Sequence, residues 1–129
     1  LNPAITIKKN TEEKINYVRE YIKSIARNMI SNALKYARPE EQLQLEITLE
    51  KTGEFFLLRF RDNGIGIDLK RQGKHLFKPF QRFSPKANGL GIGLHIINTM
   101  VQKNGGHIHV ESQPGKGSLF SVYLKEYEE

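Results

Sequence analysis

No cysteine occurs in the 129 residues, so disulfides and thiolate metal sites are excluded, a composition that suits a reducing compartment. Long hydrophobic runs are missing too. Nothing approaches the roughly 20 consecutive apolar residues of a membrane-spanning helix, and no basic, apolar and small-residue series marks a secretory signal. Acidic residues are absent from one whole region: between Leu69 and Val110 the chain carries Lys70, Arg71, Lys74, Lys78, Arg82, Lys86 and Lys103 without a single Asp or Glu. The net charge of +6 is therefore concentrated there, while the tail Glu126-Tyr127-Glu128-Glu129 is acidic. Such an excess permits nucleic acid, an anionic membrane surface or a phosphorylated ligand as partner, and equally a merely solvated basic face. A hydrophobic share of 38% supplies one core. One domain over residues 1–129 is expected, with its core at about 11–125, and the start at Leu1 reads as a piece trimmed from something longer.

Hydrophobic spacing outlines the elements. Thr11 to Ala37 reads as one long helix, with Thr11 as cap, Glu12 and Glu13 in the first turn and Pro39 beyond the end. Its residues Ile22, Ile25, Ala26, Met29, Ile30, Ala33, Leu34 and Ala37 make one apolar stripe. Leu43 to Glu50 and Phe55 to Arg61 read as strands joined by a hairpin at Lys51-Thr52-Gly53-Glu54. The second is apolar nearly throughout and is expected to be central. Asp62 to Asn88 reads as a long loop with short helical turns, a length usually reserved for lids. A second helix is expected from Leu90 to Lys103, ended by Asn104-Gly105-Gly106. Strands His107 to Glu111 and Ser118 to Leu124 follow, and Ile5 to Ile7 reads as an edge strand. The order implies an α+β fold with helices packed on one face of a mixed, mainly antiparallel sheet.

Three clusters stand out. On the first helix Asn28, Asn32 and Lys35 fall within an arc of roughly 60° at the border of the apolar stripe. Asparagine is a poor helix former. Amide oxygens can ligate Mg²⁺ and a lysine one turn on can neutralise phosphate, although amides satisfied by local backbone groups would give the same pattern. The second cluster, Arg61-Asp62-Asn63-Gly64-Ile65-Gly66-Ile67, has the glycines of a phosphate cradle but begins with a carboxylate that phosphate would repel. The third, Gly89-Leu90-Gly91-Ile92-Gly93-Leu94, leads into a helix and carries no acid. That suits phosphate, or simply a tight turn; neither the dinucleotide fingerprint nor the P-loop pattern fits. Between the last two lies Leu76-Phe77-Lys78-Pro79-Phe80, with Phe83 beyond, apolar rings that can anchor a basic lid or merely pack a long loop. Gly115-Lys116-Gly117-Ser118 reads alone as a hairpin turn. His75, His95, His107 and His109 form no ligand constellation.

Taken in order, these segments resemble the N, G1, F, G2 and G3 boxes of the ATP-binding catalytic domain of sensor histidine kinases, within the GHKL superfamily shared with gyrase, Hsp90 and MutL. The resemblance spans Ile22 to Leu124. It implies a two-layer α/β sandwich, the Bergerat ATP-binding fold, with about five strands covered on one face by about three helices. It further implies that Asn28 and Asn32 hold Mg²⁺ and phosphate, that Lys35 contacts phosphate and that Tyr36 lies by the adenine or ribose. Asp62 would accept from the adenine amino group, with Gly64, Gly66 and Ile67 shaping the base site. Gly89, Leu90, Gly91, Ile92, Gly93 and Leu94 would support lid and triphosphate, Phe77 and Phe80 would position the lid, and Ser118 would close the adenine end. Asp68 replaces a frequent proline, Leu90 a frequent small hydroxyl residue, and Ser118 a common threonine.

The resemblance also implies chemistry. Hydrolytic relatives carry a water-activating Glu four residues before the Mg-binding Asn. Here that position is Asn28, which cannot act as a general base. ATP and Mg²⁺ are then expected as ligands, with the γ-phosphoryl going to a histidine on a separate dimerisation and phosphotransfer domain, absent from this chain, and onward to a response regulator. The isolated domain is expected to be a cytoplasmic monomer, from a homodimeric, membrane-associated bacterial sensor. Alternatives are an anti-sigma serine kinase, a true ATPase or a non-catalytic docking module. Nucleic acid is not expected, since aromatic and basic residues do not interleave on a strand platform.

Overall fold

Alternating and near-continuous apolar runs become a single five-stranded sheet in the computed structural model, which describes residues 2–78 and 93–126. The strands are β1 (Ala4–Lys9), β2 (Gln44–Thr52), β3 (Phe55–Asp62), β4 (His107–Ser112) and β5 (Ser118–Lys125). The helices are α1 (Arg19–Lys35), α2 (Leu69–Gln72, followed by a 3₁₀ turn at Gly73–His75) and α3 (Gly93–Lys103). The spatial order is β1-β2-β3-β5-β4. Only β1 and β2 are parallel, with Ile5 beside Leu45 and Ile7 beside Ile47, because α1 carries the chain across between them. The other pairs are antiparallel.

The centre of the sheet explains the composition of β3. Flanked by β2 and β5, it buries Phe56, Leu57, Leu58 and Phe60, as a central strand should. Phe56, Leu58 and Phe60 join Phe120, Val122 and Leu124 of β5 in the core. Against them pack Ile25, Met29 and Ala33 of α1 and Ile97 and Val101 of α3, with Leu69 of α2 partly buried at the margin. The helices thus share one face. The opposite face carries ion pairs such as Arg59 with Glu50 at 3.1 Å and Lys8 with Glu46 at 3.5 Å. The β2–β3 turn is tight: Thr52 pairs with Phe55, and Gly53 takes φ 58°, as a two-residue hairpin requires at its first position.

One expected element is shorter than its sequence pattern. The first helix begins at Arg19, not Thr11, and Thr11 instead accepts a hydrogen bond from the Glu13 N–H at 3.1 Å. Val18 is extended (φ −67°, ψ 119°), and Ile15 and Tyr17 pack on the core from an irregular connector. Burial of those two side chains overrides the helical preference of residues 11–18. Asp68, the departure noted where proline is frequent, caps α2 by accepting from the Arg71 N–H at 3.4 Å.

Phe60→Ala is expected to destabilise the domain by about 3–5 kcal/mol, since the ring is 2% exposed and its loss leaves a cavity. Ile7→Ala, at a side chain 75% exposed on the edge strand, should change stability by less than about 0.5 kcal/mol. Urea midpoints of the two variants measure the contrast.

Candidate functional site

The site starts where β3 stops. Asp62 pairs with Ser118 across the ladder, and its side chain turns back so that Oδ1 accepts the Gly64 N–H at 2.9 Å. The carboxyl is largely withdrawn from water, and burial pushes its pKa above the ordinary aspartate value; the N–H groups of Gly64 and Ser118 offset only part of that. An acid held this way has acceptor capacity left over. That is what recognition of an N–H donor demands.

The two glycines of this loop admit protein before they admit any ligand. A Cβ at Gly64 would stand 2.5 Å from the carbonyl oxygen of Tyr36, and one at Gly66, where φ is 78°, would stand 2.0 Å from that of Gln113. The loop is therefore wedged between the end of α1 and the β4–β5 turn. Backbone bonds fix it there: Ile65 donates to the Tyr36 carbonyl at 2.9 Å, and Gly115 donates to that of Ile65 at 2.8 Å. Ile67, 3% exposed, donates its N–H to Ser112 Oγ at 2.8 Å. Ser112 in turn donates to the Gly117 carbonyl at 2.8 Å, and its Oγ lies 2.7 Å from that of Ser118. Asn63 closes the other side, accepting from Gln44 N–H and donating to the Gln42 carbonyl. Arg38 hydrogen-bonds the carbonyls of Asn63, Gly64 and Gly115. A cavity of about 540 Å³ opens beside the loop, lined by Asp62, Leu69, Ser112, Gln113, Lys116 and Ser118 among others.

The remaining polar residues follow α1. Asn28, Asn32, Lys35 and Tyr36 lie along one edge, spanning about 12 Å at 1.5 Å per residue. Tyr36 touches the Asp62 loop through its carbonyl, and at the far end Asn28 meets the start of α3. Nδ2 of Asn28 donates to the Ser24 carbonyl at 2.8 Å, so its amide is anchored by the nitrogen. Oδ1 faces Gly93, where an added Cβ would come within 2.9 Å of it. Local backbone bonding and a presented oxygen are thus both true of Asn28. Asn32 is half-buried and Lys35 exposed. Phe77 is partly buried against the core, and its carbonyl accepts from His95 Nδ1 at 3.2 Å, tying the root of the basic segment to the first turn of α3. Leu94 packs on the core. Phe80, Gly89, Leu90, Gly91 and Ile92 lie outside the described residues.

Two ends of one strip are thereby distinguished: an acceptor end at Asp62 and Ser118, and a donor and amide end at Asn28 and the N-terminus of α3. Among the described residues no group of three or more His, Cys, Asp or Glu could hold a metal ion. A cation here would fit only as Mg²⁺ commonly binds, with few protein oxygens and the remainder from phosphate and water. The oxygen that Asn28 presents suits that donor set.

Arg38, Asn63 and Ser112 were not among the sequence-derived candidates. Asn63 and Ser112 carry no pattern of their own. Arg38 had one signal: it precedes Pro39, which forbids helical continuation and turns the residue outward from the end of α1.

The raised pKa of Asp62 fixes a stability expectation. A carboxyl whose folded pKa lies above its unfolded value contributes stability at low pH that is lost as pH rises through the folded pKa. Asp62→Asn, which keeps the oxygen for Gly64 but sheds the charge, should therefore raise the urea midpoint of the ligand-free domain at pH 7. That advantage should shrink as pH falls toward the ordinary aspartate value of 3.8.

Comparison with known proteins bears on the family and the fold. The chain is 35% identical over 106 residues to the alginate biosynthesis sensor protein KinB of Pseudomonas aeruginosa, covering 82% of this chain and 17% of KinB. It is 34% identical over 115 residues to the sensor histidine kinase WalK of Bacillus subtilis, covering 86% and 19% respectively. The chain thus spans less than a fifth of the length of either relative. In fold it is similar to the nucleotide-free catalytic domain of histidine kinase ThkA, with TM-score 0.79 at 22% identity over 95% of this chain and 80% of that one. It is likewise similar to the mycobacterial sensor histidine kinase MprB, with TM-score 0.78 at 23% identity over 98% and 85%. The family model described as "Histidine kinase-, DNA gyrase B-, and HSP90-like ATPase" matches residues 17–128, and the chain belongs to that family.

Proposed function

We propose that this domain binds Mg-ATP with its base at Asp62 and its phosphates toward Asn28, and donates the γ-phosphoryl group to a histidine on a separate dimerisation and phosphotransfer domain. The observation that carries the reading is the polarity of the strip: a half-buried carboxylate beside the C-terminal end of α1, and, about 12 Å back along the helix axis from Tyr36, an Asn28 amide oxygen facing the N-terminus of α3. A nucleotide has the same polarity, with N–H donors on the base and negative charge on the triphosphate. Asp62 accepts from the adenine amino group, Gly64, Gly66 and Ile67 shape the base site, Ser118 closes it and Tyr36 flanks it. Lys35 and the basic residues Lys70, Arg71, Lys74 and Lys78 offset phosphate charge. Gly89, Leu90, Gly91, Ile92, Gly93 and Leu94 support the phosphates and the lid that Phe77 and Phe80 position.

Asn28 and Asn32 hold the Mg²⁺, which when bound would neutralise charge on the phosphate oxygens. At the position where a hydrolytic relative needs a base, Asn28 has an amide already committed through its nitrogen to Ser24. Water is left unactivated, so the domain keeps ATP for an external acceptor. The relatives KinB and WalK are a sensor protein and a sensor histidine kinase many times longer than the matched segment. That supports a longer parent with further domains; its acting as a membrane-associated homodimer with its own acceptor domain, signalling to a response regulator, is part of the proposal. No described helix here is long and apolar enough to cross a membrane.

Calorimetric titration should show ATP binding that weakens when Mg²⁺ is chelated. Asn32→Ala should reduce Mg-ATP affinity roughly tenfold to a hundredfold, the scale of a lost contact to a charged group. Supplied in trans with the parent's histidine domain, the chain should label it from γ-³²P-ATP while free phosphate release stays near background. Rapid steady hydrolysis by the isolated chain would instead mark a true ATPase.

A further inference from the structure

Arg38 reaches three carbonyl oxygens on two segments far apart in sequence. Its Nε donates to Asn63 at 3.1 Å and to Gly64 at 3.3 Å, and another guanidinium nitrogen donates to Gly115. The choice of peptide units matters more than the number of bonds. The Asn63–Gly64 peptide gives its carbonyl to Arg38 and its N–H to Asp62 Oδ1. The next peptide gives its carbonyl to Arg38 and its N–H to the Tyr36 carbonyl. The Gly115–Lys116 peptide gives its carbonyl to Arg38 and its N–H to the Gln113 carbonyl, while the Gly115 N–H donates to the Ile65 carbonyl. Each peptide unit around the carboxylate is held at both ends, and Arg38 is the partner common to all three carbonyls.

We propose that Arg38 is a positioning residue for base selection, which aims the Asp62 carboxylate by fixing the peptide that hydrogen-bonds it and locks the β4–β5 turn against the same loop. This rests on the reading of Asp62 as the group that accepts from the base. The guanidinium suits the task because its planar fork serves several carbonyls at once with charge-assisted bonds, where an ammonium offers a single point of attachment. Pro39 holds the residue out of helical geometry, so Arg38 leaves α1 in the direction of the loop. Asn63 anchors the opposite side to the Gln42 carbonyl and the Gln44 N–H, leaving Arg38 to set the side that faces Gly115. A base-reading acceptor in a wedged loop discriminates only as well as its angle is held, and a side chain outside the pocket holds it.

The test titrates the 129-residue chain and its Arg38→Ala and Arg38→Lys variants with ATP, GTP and inorganic tripolyphosphate, and follows amide hydrogen exchange at Gly64, Ile65 and Gly115 without ligand. Arg38→Ala should weaken ATP binding about tenfold and narrow the preference for ATP over GTP, with tripolyphosphate affinity unchanged and exchange at the three amides faster. Arg38→Lys should restore only part of the preference. An unaltered ATP-over-GTP preference in Arg38→Ala overturns the inference, as does an equal loss for all three ligands, which would mark general loosening. Should the alanine variant fail to fold, Arg38→Gln, which keeps an amide donor, is held to the same comparison. An unsubstituted 129-residue chain without any preference for ATP over GTP would instead overturn the reading of Asp62 itself.

Discussion

A carboxylate withdrawn from water is costly unless its surroundings return what solvation gave, and at Asp62 they return only part. Burial outweighs the two backbone N–H donors, so the group stands with unused acceptor capacity at the end of the central strand. The neighbourhood is arranged to tolerate that state. β3 carries Asp62 to the rim of the sheet through Phe56, Leu58 and Phe60, whose burial makes the strand too well anchored to shift. The loop beyond is held by backbone bonds from Tyr36 and Gly115 and by side chains of Arg38, Asn63 and Ser112.

The same rigidity gives α1 its second role. Its apolar face, Ile25, Met29 and Ala33, fixes the helix on the sheet, and its polar edge then sets the distance between the acceptor end and the amide end. Asn28 illustrates how helix chemistry becomes site chemistry: tying Nδ2 to the carbonyl one turn earlier leaves Oδ1 pointing outward to Gly93. The basic segment after α2 is joined to this end through the Phe77 carbonyl and His95. Core packing, the polar helix edge and the segment leading to Lys78 thereby share one frame.

Much of this was legible in the sequence, for definite reasons. The near-continuous apolar run at Phe55 to Arg61 announced a central strand and Gly53 the hairpin, whereas Gly64 and Gly66, read as glycines of a phosphate cradle or a base site, instead admit the carbonyls of Tyr36 and Gln113. Asn28 and Asn32 at one helical turn marked the polar edge. What escaped was carried by tertiary contact. The helix begins at Arg19 because Ile15 and Tyr17 find the core from a connector, which no local preference at Thr11 reveals. Ser112 matters only because Ile67 and Gly117 arrive beside it, and Arg38 only because carbonyls from Asn63, Gly64 and Gly115 converge. Residues that hold a site in place are defined by what they meet, so their identities are poorly marked along the chain.

The central claim is that Asp62 reads the exocyclic amino group of the base. Its most direct measurement is a binding cycle of ATP and inosine triphosphate, which differ at that group, against the natural chain and Asp62→Asn. The natural chain is expected to favour ATP by tenfold or more, and the substitution to remove most of that preference. Equal affinities of the natural chain for the two nucleotides, or a preference that survives in Asp62→Asn, would contradict it.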